Sequence, residues 1–142
     1  MTEVAQRLDE RFDLVDAEGR PLGRTKARGD VHRDGDWHRA LHVWVVHALA
    51  PTPRVVLQQR SLAKDTWPGR VDVSVGGHLA AGEDVVDALR EADEELGVPL
   101  TRDALRFIGR TAVARALPGG GCDREVLDVF ATVRLCELPS LR

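Results

Sequence analysis

Three glutamates in the middle of the chain have the spacing of a metal-binding cluster. Glu91, Glu94 and Glu95 stand at positions i, i+3 and i+4, which on a helix places three carboxylates within one turn. Like charges at this spacing repel one another, whereas Mg²⁺ and Mn²⁺ are bound by clustered carboxylate oxygens. These residues are therefore candidate metal ligands, and a solvated acidic helix face is the alternative interpretation.

The segment that carries these glutamates predicts a glycine-rich turn followed by a helix. Residues 75–84, VGGHLAAGED, supply three glycines, which permit positive φ or a close approach of the backbone to a ligand. Glu83 or Asp84 can cap the helix, and Gly97 can end it. Arg90 could hold one carboxylate by a bidentate bond. The apolar residues recur at helical spacing: Val85, Ala88, Leu89, Ala92 and Leu96.

Residues 77–98, GHLAAGEDVVDALREADEELGV, resemble the signature of the Nudix hydrolases, G-x5-E-x7-R-E-U-x-E-E-x-G-U with U aliphatic. One departure concerns the spacing, because six residues separate Glu83 from Arg90 where the family pattern has seven. One residue rotates a helical position by about 100°. The stretch from Arg90 to Glu95 therefore carries the resemblance more strongly than Glu83 does.

The resemblance implies metal-dependent hydrolysis of a phosphoanhydride in a nucleoside di- or triphosphate, or in another diphosphate linked to a moiety X. The expected cofactor is Mg²⁺, with Mn²⁺ as an alternative, and its ligands would be Glu91, Glu94, Glu95 and the backbone carbonyl of Gly77. Glu94 is the first candidate for the base that deprotonates the attacking water, and Glu125 is the second. Arg90 would orient Glu91.

A narrower resemblance is to the isopentenyl-diphosphate isomerase branch of the same superfamily. It rests on five short stretches: Thr25-Lys26, His32, His38-Arg39-Ala40, Ser74 to His78, and Asp123 to Val126. In those isomerases the matching residues surround a metal: His32, His38, His78, Asp123 and Glu125. The isomerase cysteine falls at Gly76, and glycine has no proton to exchange with an alkene. Two alternatives to hydrolysis stay open. One is an isomerase-like protein in which Cys122 or an unusual acid replaces the function lost at Gly76, and the other is a non-catalytic diphosphate-binding module.

Four residues are candidates for substrate binding. Lys26 and Arg39 could bind anionic phosphate oxygens. His78 lies beside the glycines, and Trp67 precedes a Pro-Gly pair in a predicted loop. Residue type alone favours surface positions for His32 and for His38, since both fall in or at the end of a predicted charged loop, residues 26–38. Packing is the favoured role for His42 and His47.

The order of the elements predicts an α/β fold in one domain, residues 1–142. A hairpin is expected at residues 12–24, and the Nudix motif occupies residues 76–98. Further strands are predicted at residues 41–49, 54–60, 71–75, 105–109, 111–114 and 124–135. The resemblance implies an α/β/α sandwich around a mixed sheet. The usual C-terminal helix is expected to be absent, and a homodimer partner, the N-terminal segment or a truncation of the protein could each account for the incomplete helical layer.

Composition restricts the partners. A net charge of −3, with no basic stripe, argues against duplex nucleic acid as a partner. The resemblance implies a small diphosphate compound as the partner instead. There is no apolar run of about 18 residues, so no membrane span is expected. Cys122 and Cys136 have neither disulfide-rich nor metal-site spacing, which predicts reduced thiols in a cytoplasmic protein.

Overall fold

A long central strand, rich in β-branched residues, organises the sheet. The computed structural model describes residues 10–48, 51–64, 67–89 and 100–134. Its strands are β1 (Arg11–Val15), β2 (Pro21–Ala27), β3 (Trp37–His47), β4 (Arg54–Val55), β5 (Gln58–Gln59), β6 (Val71–Asp72), β7 (Val75–His78), β8 (Arg106–Ala116) and β9 (Cys122–Arg134). The helices are α1 (Arg28–Asp34), α2, described at residues 85–89, and a 3-10 turn, Arg102–Ala104.

Strand β3 is the centre of a mixed sheet with the order β2-β1-β3-β9-β8. It pairs in parallel with β9 over its whole length. Its other edge pairs antiparallel with β1 at His38, with β7 from Ala40 to Val43, and with β4 at Val46 and His47. Because β3 contacts four strands, it determines the positions of the side chains that β7 and β9 carry.

The two faces of the sheet are covered by different elements. Side chains alternate between the faces along a strand. On one face, Leu41, Val43 and Val45 pack in a core cluster with Ala88 and Leu89 of α2. The opposite face carries His38, and Leu14 of β1 pairs with it. Leu14 packs there with Phe12 and with Val31 of α1. The predicted α/β/α arrangement around a mixed sheet is confirmed by this packing, with a helix on each face.

The predicted N-terminal hairpin is confirmed as β1 and β2. Its turn is closed by Asp16, whose Oδ1 accepts hydrogen bonds from the backbone N–H groups of Glu18 and Arg20 at 3.0 and 2.9 Å. Gly19 takes a φ of 87°, a conformation that favours glycine. The start of the motif helix also agrees with the sequence prediction, because Asp84 Oδ1 accepts from the N–H of Asp87 at 3.0 Å.

The prediction of a charged loop at residues 26–38 is wrong, because most of this segment forms α1. Few apolar residues reveal the helix in the sequence, yet Val31 is fully buried against the β1 side chains. Gly35 ends the helix in the left-handed conformation, with φ 72°, and donates its N–H to the carbonyl of Val31 at 2.8 Å. Arg28 and His32 are buried on the same helix.

Four strand predictions also need correction. Residues 54–60 do not form one neighbour of β3, because only Arg54–Val55 pairs with it and Gln58–Gln59 pairs with β6. Buried Ser74 lies between these pieces, accepting from the N–H of Val45 at 2.8 Å and donating to the carbonyl of Val56. The strand expected at 71–75 is two short strands, β6 and β7. The two strands expected at 105–109 and 111–114 form one long strand, β8, with a bulge near Gly109.

A glycine in the β8–β9 turn allows that turn to approach α1. Gly121 has a φ of 88°, and a methyl group on it would collide with the backbone carbonyl of His32. We expect Gly121→Ala to lower the free energy of unfolding by about 1–3 kcal/mol more than Gly119→Ala does. The control is matched because Gly119 has a φ of 86° with no atom within 4 Å of the added methyl. Equal losses in urea unfolding would contradict the predicted collision.

Candidate metal centre

Helix α1 and strands β3, β7 and β9 bring three histidines and two acids together. His32 comes from α1, His38 from β3 and His78 from β7, while Asp123 and Glu125 come from β9. The register explains the convergence, since His38 pairs with Glu125 and the next residue on the same face, Ala40, pairs with His78. Ligand atoms of the three histidines and Asp123 all lie within 4.8 Å of one another.

Three buried atoms of this cluster face one another without hydrogen bonds. His32 Nε2 and His38 Nε2 lie 3.5 and 3.3 Å from Asp123 Oδ1. Within residues 10–48, 51–64, 67–89 and 100–134, none of the three atoms has a hydrogen-bond partner. An unsatisfied buried polar atom costs about 1–3 kcal/mol. A cation among the three atoms would remove this cost, so the residues fit a metal ion.

The hydrogen bond of His38 prepares it as a ligand. Its Nδ1 lies 3.1 Å from the backbone carbonyl oxygen of Asp36. A carbonyl oxygen only accepts, so Nδ1 carries the hydrogen and Nε2 presents a lone pair to the cluster. Metal-binding histidines commonly donate their second N–H to a carbonyl or carboxylate in this way, which fixes the tautomer and the orientation of the ring.

Phe12 of β1 forms the apolar wall of the cluster. Its ring is fully buried and lies parallel to the His38 ring, with centroids 5.0 Å apart and an interplanar angle of 9°. The His78 ring is 5.1 Å away, and the guanidinium of Arg28 lies 5.6 Å from the Phe12 centroid. These contacts hold the imidazoles in one orientation and limit the access of water to them.

Burial and nearby charges change the pKa values of the cluster. Burial raises the pKa of Glu125, and the neighbouring Asp123 carboxylate raises it further, to about 7. For His78, burial and then the Arg28 charge lower the pKa well below its ordinary value, so this imidazole is neutral at neutral pH.

A NUDIX domain family model matches residues 38–138, a range that includes β3, the glycine-rich turn and β9. The chain belongs to the Nudix family. Nudix hydrolase 3 of Arabidopsis thaliana is 48% identical over 101 residues, 70% of the chain and 13% of the plant protein. An isopentenyl-diphosphate isomerase of Cutibacterium acnes is 32% identical over 139 residues, 96% of the chain and 66% of the isomerase. The chain thus spans less than two thirds of either relative.

The fold agrees with a solved structure. A crystal structure of a Deinococcus radiodurans protein superposes with a TM-score of 0.65 and 25% identity, covering 94% of the chain and 76% of that protein. The sequence resemblance to the Nudix superfamily and its isomerase branch is therefore confirmed, and the names of the relatives support the prediction of a Nudix hydrolase. Nudix enzymes use divalent metals, and four side chains from α1, β3, β7 and β9 form a group that could hold a metal ion: His32, His38, His78 and Asp123.

The predicted site residues fall into three groups: those outside the described residues, those in or beside the cluster, and those elsewhere in the described part of the chain. Arg90, Glu91, Glu94 and Glu95 lie outside the described residues, so their roles stay predictions. His78 and Glu125 lie in the cluster, where His78 Nε2 is 3.1 Å from Glu125 Oε1. Gly77, on β7, pairs with Leu41 and lies next to His78.

The remaining predicted residues lie elsewhere in the described part of the chain. Lys26 Nζ is 2.6 Å from a carboxylate oxygen of Asp34 and 2.6 Å from one of Asp36, so this cation is already paired. Arg39 is half-buried on β3, and Trp67 has a φ of 49° in the loop before β6. Contact of these three residues with a substrate stays a prediction.

Two histidines for which residue type predicts surface positions are buried. His32 and His38 were expected at the surface, but they are 6% and 0% exposed. The resemblance to the isomerases was the signal that identified them. Phe12 and Arg28 were not singled out, and no pattern in the sequence links them to residues 50 or more positions away. In the described part of the chain, no helix is long and apolar enough to cross a membrane.

Proposed function

We propose that the protein hydrolyses a phosphoanhydride in a small diphosphate compound, with nucleoside di- and triphosphates as the substrate class, and that the reaction requires a divalent metal ion. The NUDIX match and the hydrolase name of the plant relative support the reaction type. The observation that carries the metal requirement is the convergence of three buried atoms, His32 Nε2, His38 Nε2 and Asp123 Oδ1, that lack hydrogen-bond partners in the described residues.

The donor atoms of the cluster favour a transition-metal ion. Imidazole nitrogens suit Zn²⁺ and Fe²⁺, whereas Mg²⁺ prefers oxygen ligands alone. His32, His38 and Asp123 would hold such an ion, with Mn²⁺ also compatible with the carboxylate. Mg²⁺ at the motif glutamates, Glu91, Glu94 and Glu95, remains part of the proposal, so two metal positions of different chemistry are expected.

Glu125 is the proposed general base. Its carboxylate lies 3.1 Å from His78 Nε2, two residues from Asp123 on β9, so it could accept a proton from a water molecule beside the metal ion. The water oxygen then forms a bond to phosphorus while the bridging P–O bond breaks and the second phosphate leaves. A bound divalent ion would neutralise the charge that develops on the phosphate oxygens. Glu94 is the alternative base.

Isomerisation of a prenyl diphosphate is the second candidate function, since relatives named isopentenyl-diphosphate isomerase match the chain. Two features weigh against it. Gly76, at the place of the isomerase cysteine, pairs with His42 on β3 and has no side chain to exchange a proton. Cys122 immediately precedes Asp123 on β9, so it points to the opposite face from the cluster.

Product analysis tests the proposal. Phosphate and pyrophosphate release would be measured from a panel of nucleoside di- and triphosphates and prenyl diphosphates, each with Mg²⁺, Mn²⁺ or Zn²⁺. We expect metal-dependent release from at least one nucleotide, and a loss of about 100-fold or more in Glu125→Gln or in Glu94→Gln, whichever residue is the base. Glu18→Gln, at an exposed glutamate of the β1–β2 turn, should keep full activity.

The other outcomes identify the alternatives. Conversion of isopentenyl diphosphate to its isomer without release of phosphate would establish the isomerase function. Binding of a nucleotide in calorimetry, with no turnover of any substrate by the wild type, would identify a binding module.

A further inference from the structure

The three histidines of the cluster do not make equivalent hydrogen bonds. His38 donates its Nδ1 hydrogen to a carbonyl, which leaves Nε2 as an acceptor. His78 has the opposite arrangement, because its Nδ1 lies 2.9 Å from Nη1 of Arg28. A guanidinium group has donors only and no acceptor, so this bond requires a lone pair on His78 Nδ1.

The direction of that bond determines the other ring nitrogen of His78. A neutral imidazole has one N–H, and with Nδ1 accepting from Arg28 the hydrogen must be on Nε2. His78 Nε2 lies 3.1 Å from Glu125 Oε1 and can donate to it. The three side chains therefore form a hydrogen-bonded chain with one direction, from the guanidinium through the imidazole to the carboxylate.

We propose that Arg28 fixes His78 as a hydrogen-bond donor that positions Glu125, and that the metal ligands in this chain are His32, His38 and Asp123, without His78. This inference deepens the function proposed above and rests on its metal site. To bind a metal through Nε2, His78 would need to lose its only hydrogen or give up the bond from Arg28. His78 Nε2 is also the most distant of the three from Asp123 Oδ1, at 3.9 Å against 3.3 and 3.5 Å.

The surroundings of Arg28 hold its side chain in position to donate to His78. The side chain is 2% exposed and belongs to α1, the helix that also carries His32. Its guanidinium lies over the Phe12 ring, an arrangement in which a cation is attracted to the ring face. Three protein ligands would leave further coordination positions open, which is the arrangement of catalytic metal sites. Glu125, held by His78, would then be free to act on water.

The first test compares metal binding in variants of matched chemistry. Glutamine at position 78 can accept from Arg28 through its oxygen and donate to Glu125 through its nitrogen. We expect His78→Gln to bind Zn²⁺ and Co²⁺, measured by calorimetry and by Co²⁺ absorption, within about threefold of the wild type. His78→Ala, which cannot position Glu125, should bind about 10-fold more weakly. His38→Gln, the same substitution at a proposed ligand, should lose about 100-fold or more.

The second test needs neither metal nor activity. Long-range ¹H–¹⁵N spectra of protein labelled with ¹⁵N-histidine report which ring nitrogen carries the hydrogen. We expect the Nε2–H tautomer for His78 and the Nδ1–H tautomer for His38 in the metal-free protein, and the same His78 tautomer after addition of Zn²⁺. Arginine can only donate, whereas glutamine can donate or accept. Arg28→Gln should therefore allow the Nδ1–H tautomer of His78 to appear.

Two results would overturn the proposal: an Nδ1–H tautomer of His78 in the metal-free protein, or loss of the Nε2 hydrogen when Zn²⁺ binds. Equal losses of affinity in His78→Gln and His38→Gln would also overturn it, because both would then be ligands. If the wild type bound Zn²⁺ and gave the expected spectra without hydrolysing any substrate, the proposed function would fail while the ligand assignment stood.

Discussion

Asp123→Asn is expected to weaken the binding of Mn²⁺ or Zn²⁺ by about 100-fold or more. Asparagine keeps the size of the side chain but removes the negative charge that His32 Nε2 and His38 Nε2 face at 3.5 and 3.3 Å. Loss of a group that only supports a ligand costs about 10–100-fold, so loss of a charged ligand should cost at least the upper figure. Calorimetric titration of the metal-free protein measures this change directly.

Thermal unfolding separates metal binding from folding in the same variant. At a metal concentration of 100 times Kd, the wild type should gain about 2.7 kcal/mol of stability, or about 5–10 °C in Tm. Asp123→Asn should lose this gain. Without metal, the variant should be as stable as the wild type or more so, since an amide N–H can donate to an imidazole Nε2 that lacks a partner among the described residues.

Asp128→Asn is the matched control for that experiment. Asp128 is also buried on β9, but it lies five residues from Asp123 and so faces the other side of the sheet. Its carboxylate accepts two hydrogen bonds from Arg110, at 2.7 and 3.0 Å. We expect this control to lower stability without changing metal affinity. Equal losses of affinity in the two variants would show that the metal does not bind at Asp123.

Phe12→Ala is expected to lower the free energy of unfolding by about 3–5 kcal/mol, which is the usual cost of removing a buried aromatic ring. Phe12 is fully buried in the cluster with Leu14 and Val31. Its ring also packs on His38, 5.0 Å between centroids. The variant should therefore weaken metal binding as well, because the imidazoles lose the surface that orients them. Urea unfolding of the metal-free protein measures the stability term.

Phe107→Ala provides the comparison for Phe12. Phe107 is 51% exposed on β8, and its ring meets Phe130 edge to face with centroids 5.5 Å apart. Its truncation should cost about 1 kcal/mol, near the value of an aromatic pair, and should not change metal affinity. A loss below about 1 kcal/mol in Phe12→Ala would mean that the ring does not support the β1–α1 packing.

Local sequence signals were sufficient for the elements whose stability is local. The β1–β2 hairpin followed from a glycine turn between two strand patterns, and Asp84 was correctly named as a candidate cap. The central strand followed from its β-branched run. By contrast, α1 was missed because its helical character depends on one buried apolar residue, Val31, and on packing against β1, which no local pattern reports.

The residues of the site were likewise identified from the sequence, whereas their arrangement was decided by the tertiary structure. The sequence alone determined the Nudix family, through residues 77–98, and the residue types needed for metal chemistry. It also identified His78 and Glu125 as candidates, and the second resemblance named His32, His38 and Asp123. Only the tertiary structure decided that these residues are buried together, since the pairing of β3 with β7 and β9 joins positions 38, 78 and 125.

The same structure decided the direction of each hydrogen bond in the cluster. Which nitrogen of a histidine presents a lone pair depends on the partner of the other nitrogen, and here those partners are the Asp36 carbonyl for His38 and the Arg28 guanidinium for His78. Arg28 is 50 residues from His78 in sequence. Sequence spacing determines neighbours along one element, whereas contacts between elements depend on how the sheet and α1 pack, so this chemistry could only be read in three dimensions.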